Sequence, residues 1–375
     1  MTAIALGIPL AVPGASMSSG AAMSGTGVDT EGMPTEGPMV DTFGRAARDL
    51  RVSLTDRCNL RCTYCMPAEG LDWLPGDAVL STDEIIRLIT VGVTELGIEA
   101  VRFTGGEPLL RKDLPRIVEA VSALPGHPET SVTTNGLGLR LHARALAAAG
   151  LSRVNVSLDT LDRERFAAIT RRDRIADVLD GLAAAAEAGL TPVKVNAVLH
   201  PDGGLDDAPA LLAMCLENGF SLRIIEQMPL DAEHQWSRTA MITADQVVER
   251  LSRDYDLIAD TAPRGSAPAQ TWIVDGHHVT HADGTVVPAR VGIIASVTRP
   301  FCGDCDRTRL TADGQLRTCL FSTTETDLRA LLRTGADDAA IAQAWRGATW
   351  GKLPGHAIND PGFLQPTRPM SAIGG

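Results

Sequence analysis

Residues 49–65 read Asp49-Leu50-Arg51-Val52-Ser53-Leu54-Thr55-Asp56-Arg57-Cys58-Asn59-Leu60-Arg61-Cys62-Thr63-Tyr64-Cys65. Residues 50–54 carry the apolar pattern of a short strand, and three cysteines follow it at once. Working outward, five further strand-like runs recur at 100–103, 130–133, 154–158, 192–198 and 222–225, and segments of helical period separate them. The first helix begins at Ser81, with Glu84 at capping-box spacing and Ile85, Leu88, Ile89 and Val93 on one stripe. Others cover about 111–124, 140–149, 174–188 and 207–218. Alternating strand and helix predicts an α/β fold with a parallel sheet.

The residues suited to chemistry lie at the ends of these strands: Cys58 to Cys65, Gly105-Gly106-Glu107, Thr133-Thr134-Asn135, Ser157 to Asp159, Lys194 with Asn196, and Glu226 to Met228. In a parallel barrel such positions share one rim, where active sites are assembled. Six units instead of eight predict an incomplete (βα)6 TIM-type barrel over residues 43–230. Beyond it, a helix at 243–253, a strand-rich stretch at 271–297, a second cysteine group and a helical segment at 325–346 predict a C-terminal region, 231–375, packed on the barrel. Residues 1–42 are mostly Gly, Ala, Ser, Thr, Pro and Met and precede the first Lys, Arg or aromatic residue. They read as a disordered N-terminal extension.

The chain has 375 residues, 34 Lys plus Arg against 46 Asp plus Glu, and a formal charge of −12. That balance argues against a general nucleic-acid binder, so a polyanionic ligand would need a local basic pocket. No run of about 18 uncharged apolar residues suggests a membrane span, and the start of the chain lacks a basic flank for a signal peptide. Six of seven cysteines fall in two tight groups, the pattern of metal ligation in a reducing compartment, and a cytoplasmic protein is expected. Cys215, on a helical run, reads as a core thiol.

Cys58-x3-Cys62-x2-Cys65 supplies three thiolates, enough for three irons of a 4Fe–4S cube, leaving the fourth open to an external chelate. Zinc would need a fourth ligand that no neighbour obviously supplies. Cys302-x2-Cys305-x13-Cys319 is a second triple, which could equally be a zinc knuckle completed by His356 or by His277, His278 or His281.

Three features carry a resemblance: the CxxxCxxC spacing with Tyr64 before its third cysteine, the segment Gly105-Gly106-Glu107-Pro108, and the run from Pro300 to Gly314 around Cys302, Cys305, Arg307, Thr308 and Arg309. By them the chain resembles the GTP 3′,8-cyclases of molybdenum cofactor biosynthesis, within the radical S-adenosylmethionine superfamily. The likeness extends through Arg102-Phe103-Thr104, Thr133-Thr134-Asn135-Gly136, Val156-Ser157-Leu158-Asp159 and Gly351-Lys352-Leu353-Pro354-Gly355-His356 to Gly374-Gly375. It implies two 4Fe–4S clusters, the first on Cys58, Cys62 and Cys65 and the second on Cys302, Cys305 and Cys319, with guanine docking at the second. It implies S-adenosylmethionine beside Tyr64, Gly106, Ser157 and Met228, and GTP among Arg51, Arg102, Thr133, Lys194, Arg307, Thr308 and Arg309. Arg307, Arg309, Gly374 and Gly375 would serve catalysis, the diglycine tail reaching into the site. Gln227 departs from the aromatic residue common before the methionine.

The implied reaction begins with an electron from a flavodoxin- or ferredoxin-type donor. S-adenosylmethionine is cleaved, the 3′ hydrogen of GTP is removed, and C3′ closes on guanine C8. A separate enzyme would rearrange the product to cyclic pyranopterin, and a homodimer is among the expected assemblies. The rival readings are a radical enzyme acting on a peptide, whose auxiliary region commonly has more cysteines, and a non-catalytic iron–sulfur carrier or zinc-stabilised module.

Overall fold

Strand pleating divides the first six strands into an outward apolar set and an inward polar set. Leu50 and Val52, Val101 and Phe103, Val154 and Val156, Val195 and Ala197, and Leu222 and Ile224 are buried in one core. Arg51, Arg102, Asn155, Lys194 and Arg223 take the opposite phase. The computed structural model describes residues 30–280 and 284–374. In it β1 (Asp49–Ser53), β2 (Ala100–Thr104), β3 (Glu129–Thr134), β4 (Arg153–Ser157), β5 (Lys194–Val198) and β6 (Ser221–Ile225) pair in parallel, each with the next.

The helices that close the units are α1 (Thr82–Leu96), α2 (Leu114–Ser122), α3 (Leu139–Ala148), α4 (Arg163–Thr170), α5 (Ile175–Glu187) and α6 (Gly204–Glu217). The Ser81–Glu84 capping box forms as its spacing predicts, and Gly97 ends α1 in the left-handed region. Helix α4 was not expected, because Arg163-Glu164-Arg165 opens it with charge and its apolar face is only one turn long, Phe166 and Ile169. The Asp162 side chain caps its Arg165 N–H, and Phe166 and Ile169 are buried.

The C-terminal region extends the sheet at both edges, so it is more than a layer packed upon it. After α7 (Ala244–Leu251) come β7 (Leu257–Ala259), β8 (Gln270–Thr280) and β9 (Val286–Ile294), and β9 lies parallel to β6. Then β10 (Arg307–Leu310) lies parallel to β1, followed by β11 (Gln315–Arg317) and β12 (Thr326–Asp327). The order is β12-β11-β10-β1-β2-β3-β4-β5-β6-β9-β8-β7. Eight neighbouring strands, β10 through β9, are therefore parallel, yet β9 and β10 do not pair with each other: the barrel is open. The helical segment expected at 325–346 divides into α8 (Leu328–Arg333) and α9 (Asp338–Trp350), with Gly335 at φ +85 between them. A last turn, α10 (Met370–Ile373), precedes the chain end.

The N-terminal boundary moves. Residues 1–29 of the expected extension lie outside the described residues, but Met39 is 0% exposed in the main core, and its N–H donates to the Leu96 carbonyl. Val40 bridges to Ala46. Ordered packing begins near residue 38 and not at 43. One large apolar side chain outweighs the glycine-rich composition around it.

Candidate active site in the barrel interior

Sheet register sets the site. Arg309, Arg51, Arg102, Ser131 and Arg153 stand opposite one another across β10, β1, β2, β3 and β4. Thr133, Asn155, Lys194 and Ser221 form a second row, and Ser157, Asn196, Arg223 and Gly292 a third. The barrel interior is thus lined by cations on several strands. Burial, then repulsion by Arg51, pushes Arg102 down to about 9; burial, then Arg223, Arg153 and Arg102, pushes Lys194 down to about 7. Nε of Arg51, Arg102 and Arg307, Nη1 of Arg153 and Oδ1 of Asn155 and Asn196 are buried without a hydrogen-bond partner. Such atoms are costly unless a ligand completes them. The only carboxylate among the described ion-pair partners of Arg51 is Asp49, at 3.9 Å.

The two cysteine groups occupy opposite ends of these strands. Cys58, Cys62 and Cys65 follow the C-terminal end of β1, whereas Cys302 and Cys305 precede the N-terminal end of β10, its parallel neighbour. Cys319 follows β11, which returns antiparallel to that same end. At ~3.3 Å per residue, four or five residues of strand separate the two ends by about 15 Å.

At the first group, burial pushes the thiols up, Cys65 to about 12, and the cysteines raise one another. The Leu60 N–H and Asn135 Nδ2 approach Cys58 Sγ at 3.5 and 3.7 Å. Gly106 is required by the chain itself: a Cβ there would meet the Asp56 and Arg57 carbonyls. The Glu107 carboxylate accepts from the N–H groups of Leu109 and Asn135 and from Thr134, and burial pushes it up to about 7. Tyr64 donates to Asp159 Oδ2 at 2.7 Å, which places it beside the β4 end that carries Ser157. Met228 packs in a small cluster with Leu230, Val297 and Ile373.

The second group has cationic surroundings. Burial raises Cys305, but Arg307, Lys352 and their hydrogen bonds outweigh it and leave the thiol below its ordinary value. Cys302 is raised by burial and by the other two cysteines. Among the described residues no three His, Cys, Asp or Glu side chains meet closely enough to chelate one ion. Each triple offers three thiols, enough for three irons of a 4Fe–4S cube, whose ligand sulfurs stand further apart than those on a single zinc. His277 lies against Tyr255, and His356 against Phe321 at 5.1 Å. His281 lies outside the described residues.

The C-terminal tail joins the two ends. Ser371 lies against Cys65, Ser53 Oγ donates to the Ile373 carbonyl at 2.9 Å, and Arg309 Nη1 donates to the Gly374 carbonyl. A Cβ on Gly374, whose φ is +83, would strike Ser53 Oγ and Thr104 Oγ1. Gly375 lies outside the described residues.

One expected contact is corrected. Thr308 alternates with Arg307 and Arg309, so its side chain points away from the interior, is 1% exposed and accepts from Trp345 Nε1 at 3.3 Å. Only its backbone remains near the site. Glu226 is also fully used, accepting from Ala244, Val297 and Thr298. Arg153 and Arg223 were missed, although both carry a basic residue in the inward phase that Arg102 and Lys194 already define. A surface cleft of about 530 Å³ beside Thr63, Arg165 and His200 contains none of the expected site residues.

Two family models match: "Radical SAM superfamily" over residues 52–215 and "Molybdenum Cofactor Synthesis C" over 220–358. A protein of Mycobacterium sp. (strain KMS) named GTP 3′,8-cyclase is 66% identical over 92% of this chain and 95% of its own. Another of that name from Mycolicibacterium smegmatis is 60% identical over the whole of both. The crystal structure of Streptococcus suis SuiB bound to S-adenosylmethionine shares the fold, with TM-score 0.52 and 12% identity over 88% of this chain and 76% of that one.

Proposed function

This chain belongs to the GTP 3′,8-cyclase family of the radical S-adenosylmethionine superfamily, and we infer from the barrel interior how its residues divide the work. The activity is conversion of GTP to (8S)-3′,8-cyclo-7,8-dihydroguanosine 5′-triphosphate, the first step of molybdenum cofactor biosynthesis. One observation carries the assignment of the site: cationic side chains with buried N–H groups that lack a hydrogen-bond partner line the space between two cysteine triples, and the tail is fastened to Arg309 inside it.

Bound at Cys58, Cys62 and Cys65, a 4Fe–4S cluster with an open iron and S-adenosylmethionine would supply the deoxyadenosyl radical that removes the 3′ hydrogen so that C3′ closes on C8. The protein's part is placement. Arg51, Arg102 and Lys194, joined by Arg153 and Arg223, neutralise and orient the triphosphate, and Thr133 lies in the row of Lys194. Arg307 and Arg309, on β10 next to Cys302 and Cys305, hold the guanine end at the second cluster, whose ligands would be Cys302, Cys305 and Cys319. Tyr64, Gly106, Ser157 and Met228 border the S-adenosylmethionine. Gly374 narrows the space around the reacting sugar without a side chain that would fill it, and Gly375 is assigned to the same catalytic tail.

An external one-electron carrier of the flavodoxin or ferredoxin type suits the first cluster, and a second enzyme must rearrange the cyclised nucleotide to cyclic pyranopterin. No helix among the described residues is long and apolar enough to cross a membrane, and a cytoplasmic location fits two groups of free cysteines. The test is anaerobic incubation of the reconstituted protein with S-adenosylmethionine, dithionite and GTP, followed by mass analysis. A GTP-dependent cyclised product with 5′-deoxyadenosine is expected. Absence of both from protein carrying its full iron overturns the reading.

A further inference from the structure

The segment Gly351-Lys352-Leu353-Pro354-Gly355-His356 has been assigned no role in the reaction, yet it lies against the second cysteine group through Lys352 and Gly355. Lys352 is 4% exposed. Its Nζ donates to the carbonyls of Cys305 and Arg307, each at 2.9 Å, and lies 3.5 Å from Cys305 Sγ. An ammonium has three N–H donors, and these three partners use them all. Among the described residues no carboxylate lies within ion-pair distance of this nitrogen, so the one neighbour able to carry negative charge is the Cys305 sulfur. A buried cation without a counter-charge is expensive. A thiolate held on a metal centre removes that expense.

The rest of the segment is fixed from the other side. Arg45 Nη1 donates to the carbonyls of Cys302 at 2.8 Å and Pro354 at 2.9 Å, and its Nη2 to that of Leu353 at 2.6 Å. Asp41 Oδ2 holds its Nε at 2.5 Å. The Lys352 ammonium is therefore anchored to the loop that bears two ligands and cannot follow solvent.

We propose that Lys352 is a positioning residue for the second cluster, hydrogen-bonding the Cys305 ligand sulfur so as to favour the reduced, more negative state, while its other two bonds fix where β10 and Arg307 begin. The inference rests on the reading that Cys302, Cys305 and Cys319 hold a cluster. Charge and hydrogen bonds at ligand sulfur raise a cluster's potential.

The test uses the full chain with Cys58, Cys62 and Cys65 replaced by alanine, so that any remaining iron signal belongs to the second group. The sequence contains three lysines, Lys112, Lys194 and Lys352. Lysine labelled with 15N should therefore give a hyperfine coupling to the reduced cluster in pulsed paramagnetic resonance, abolished by Lys352→Met. In a redox titration, Lys352→Met should change the oxidised-to-reduced ratio at fixed potential at least tenfold toward oxidised, which is about 59 mV for one electron. Lys352→Arg should restore part of it. Iron present with no 15N coupling in otherwise unaltered lysines overturns the proposal, and so does an unmoved midpoint in an iron-replete Lys352→Met protein. Should Lys352→Met lose its iron, the labelling result decides alone. No iron in the triple-alanine protein overturns the cluster assignment itself, and this proposal with it.

Discussion

Lys194 carries the charge of the barrel interior that changes near neutrality, because the guanidinium groups around it hold their protons far more firmly. Burial first, then Arg223, Arg153 and Arg102, brings its ammonium down to about 7. The sign follows from linkage. Below about pH 7 the empty site is already charged and a triphosphate gains a cation without proton uptake; above it, binding must draw a proton from solution. Log Kd for GTP should therefore rise with pH above about 7, by up to roughly one per pH unit. Lys194→Arg should flatten that slope. Calorimetry in buffers of different ionisation enthalpy would read the proton directly, and equal slopes in both proteins would remove Lys194 from the triphosphate site. Without ligand the same residue weakens the fold. Its depressed value means that the unfolded chain takes up the proton first as pH falls from the ordinary 10.5 toward about 7. Such residues were only partly legible in the sequence. Arg51, Arg102 and Lys194 stood out, while Arg153 and Arg223, in the same inward phase, were not singled out. Arg45 left no signal, and Lys352 stood in a resembling segment without a role, because both act on backbone carbonyls whose neighbours the sequence does not name.

At the scale of elements, the predictable parts are those whose local chemistry agrees with their packing. The Ser81–Glu84 box heads a helix with Ile85, Leu88 and Ile89 buried, and all three signals point the same way. Ser81→Ala should cost about 1 kcal/mol in denaturant unfolding and leave turnover unchanged. Helix α4 escaped notice because its apolar face spans a single turn, and β9 was readable within a strand-rich stretch while its partner, like that of β10, was not. A parallel neighbour 250 residues away is chosen by the closing of the sheet and not by either strand alone. The tail is the clearest case of an element with function and little structure of its own. Gly374→Ala places a methyl group against Ser53 and Thr104 at a φ of +83. Cyclised product should fall by about 10²-fold or more, the scale of a small misplacement at a reacting centre. Iron content and binding of S-adenosylmethionine should be retained. Full cyclisation by this variant would take the tail out of the mechanism.

For the whole molecule, the division between residues 215 and 220 is one of family models, not of cooperative structure. The two matched segments meet within one sheet: β5 is hydrogen-bonded to β6, which goes on to pair with β9, on one side, and β1 to β10 on the other. Removing residues 231–375 would bare two parallel edges at once, together with the apolar face of β1 and α1 that Trp345 and Ile341 cover from α9. Unpaired flat edges associate with other chains. A protein ending at residue 230 should therefore be recovered as aggregate, or as a species that binds hydrophobic dye and lacks fixed tertiary structure. The intact chain should unfold in one transition, with coincident fluorescence and circular dichroism curves, since neither half of the sheet has a core that closes without the other. The five tryptophans make this readable, because Trp272 and Trp345 lie in the C-terminal segment and both belong to the shared core. A soluble, cooperatively folding 43–230 fragment, or two resolved transitions in the intact protein, would show instead that the barrel is complete with six strands and that β9 and β10 are additions to it.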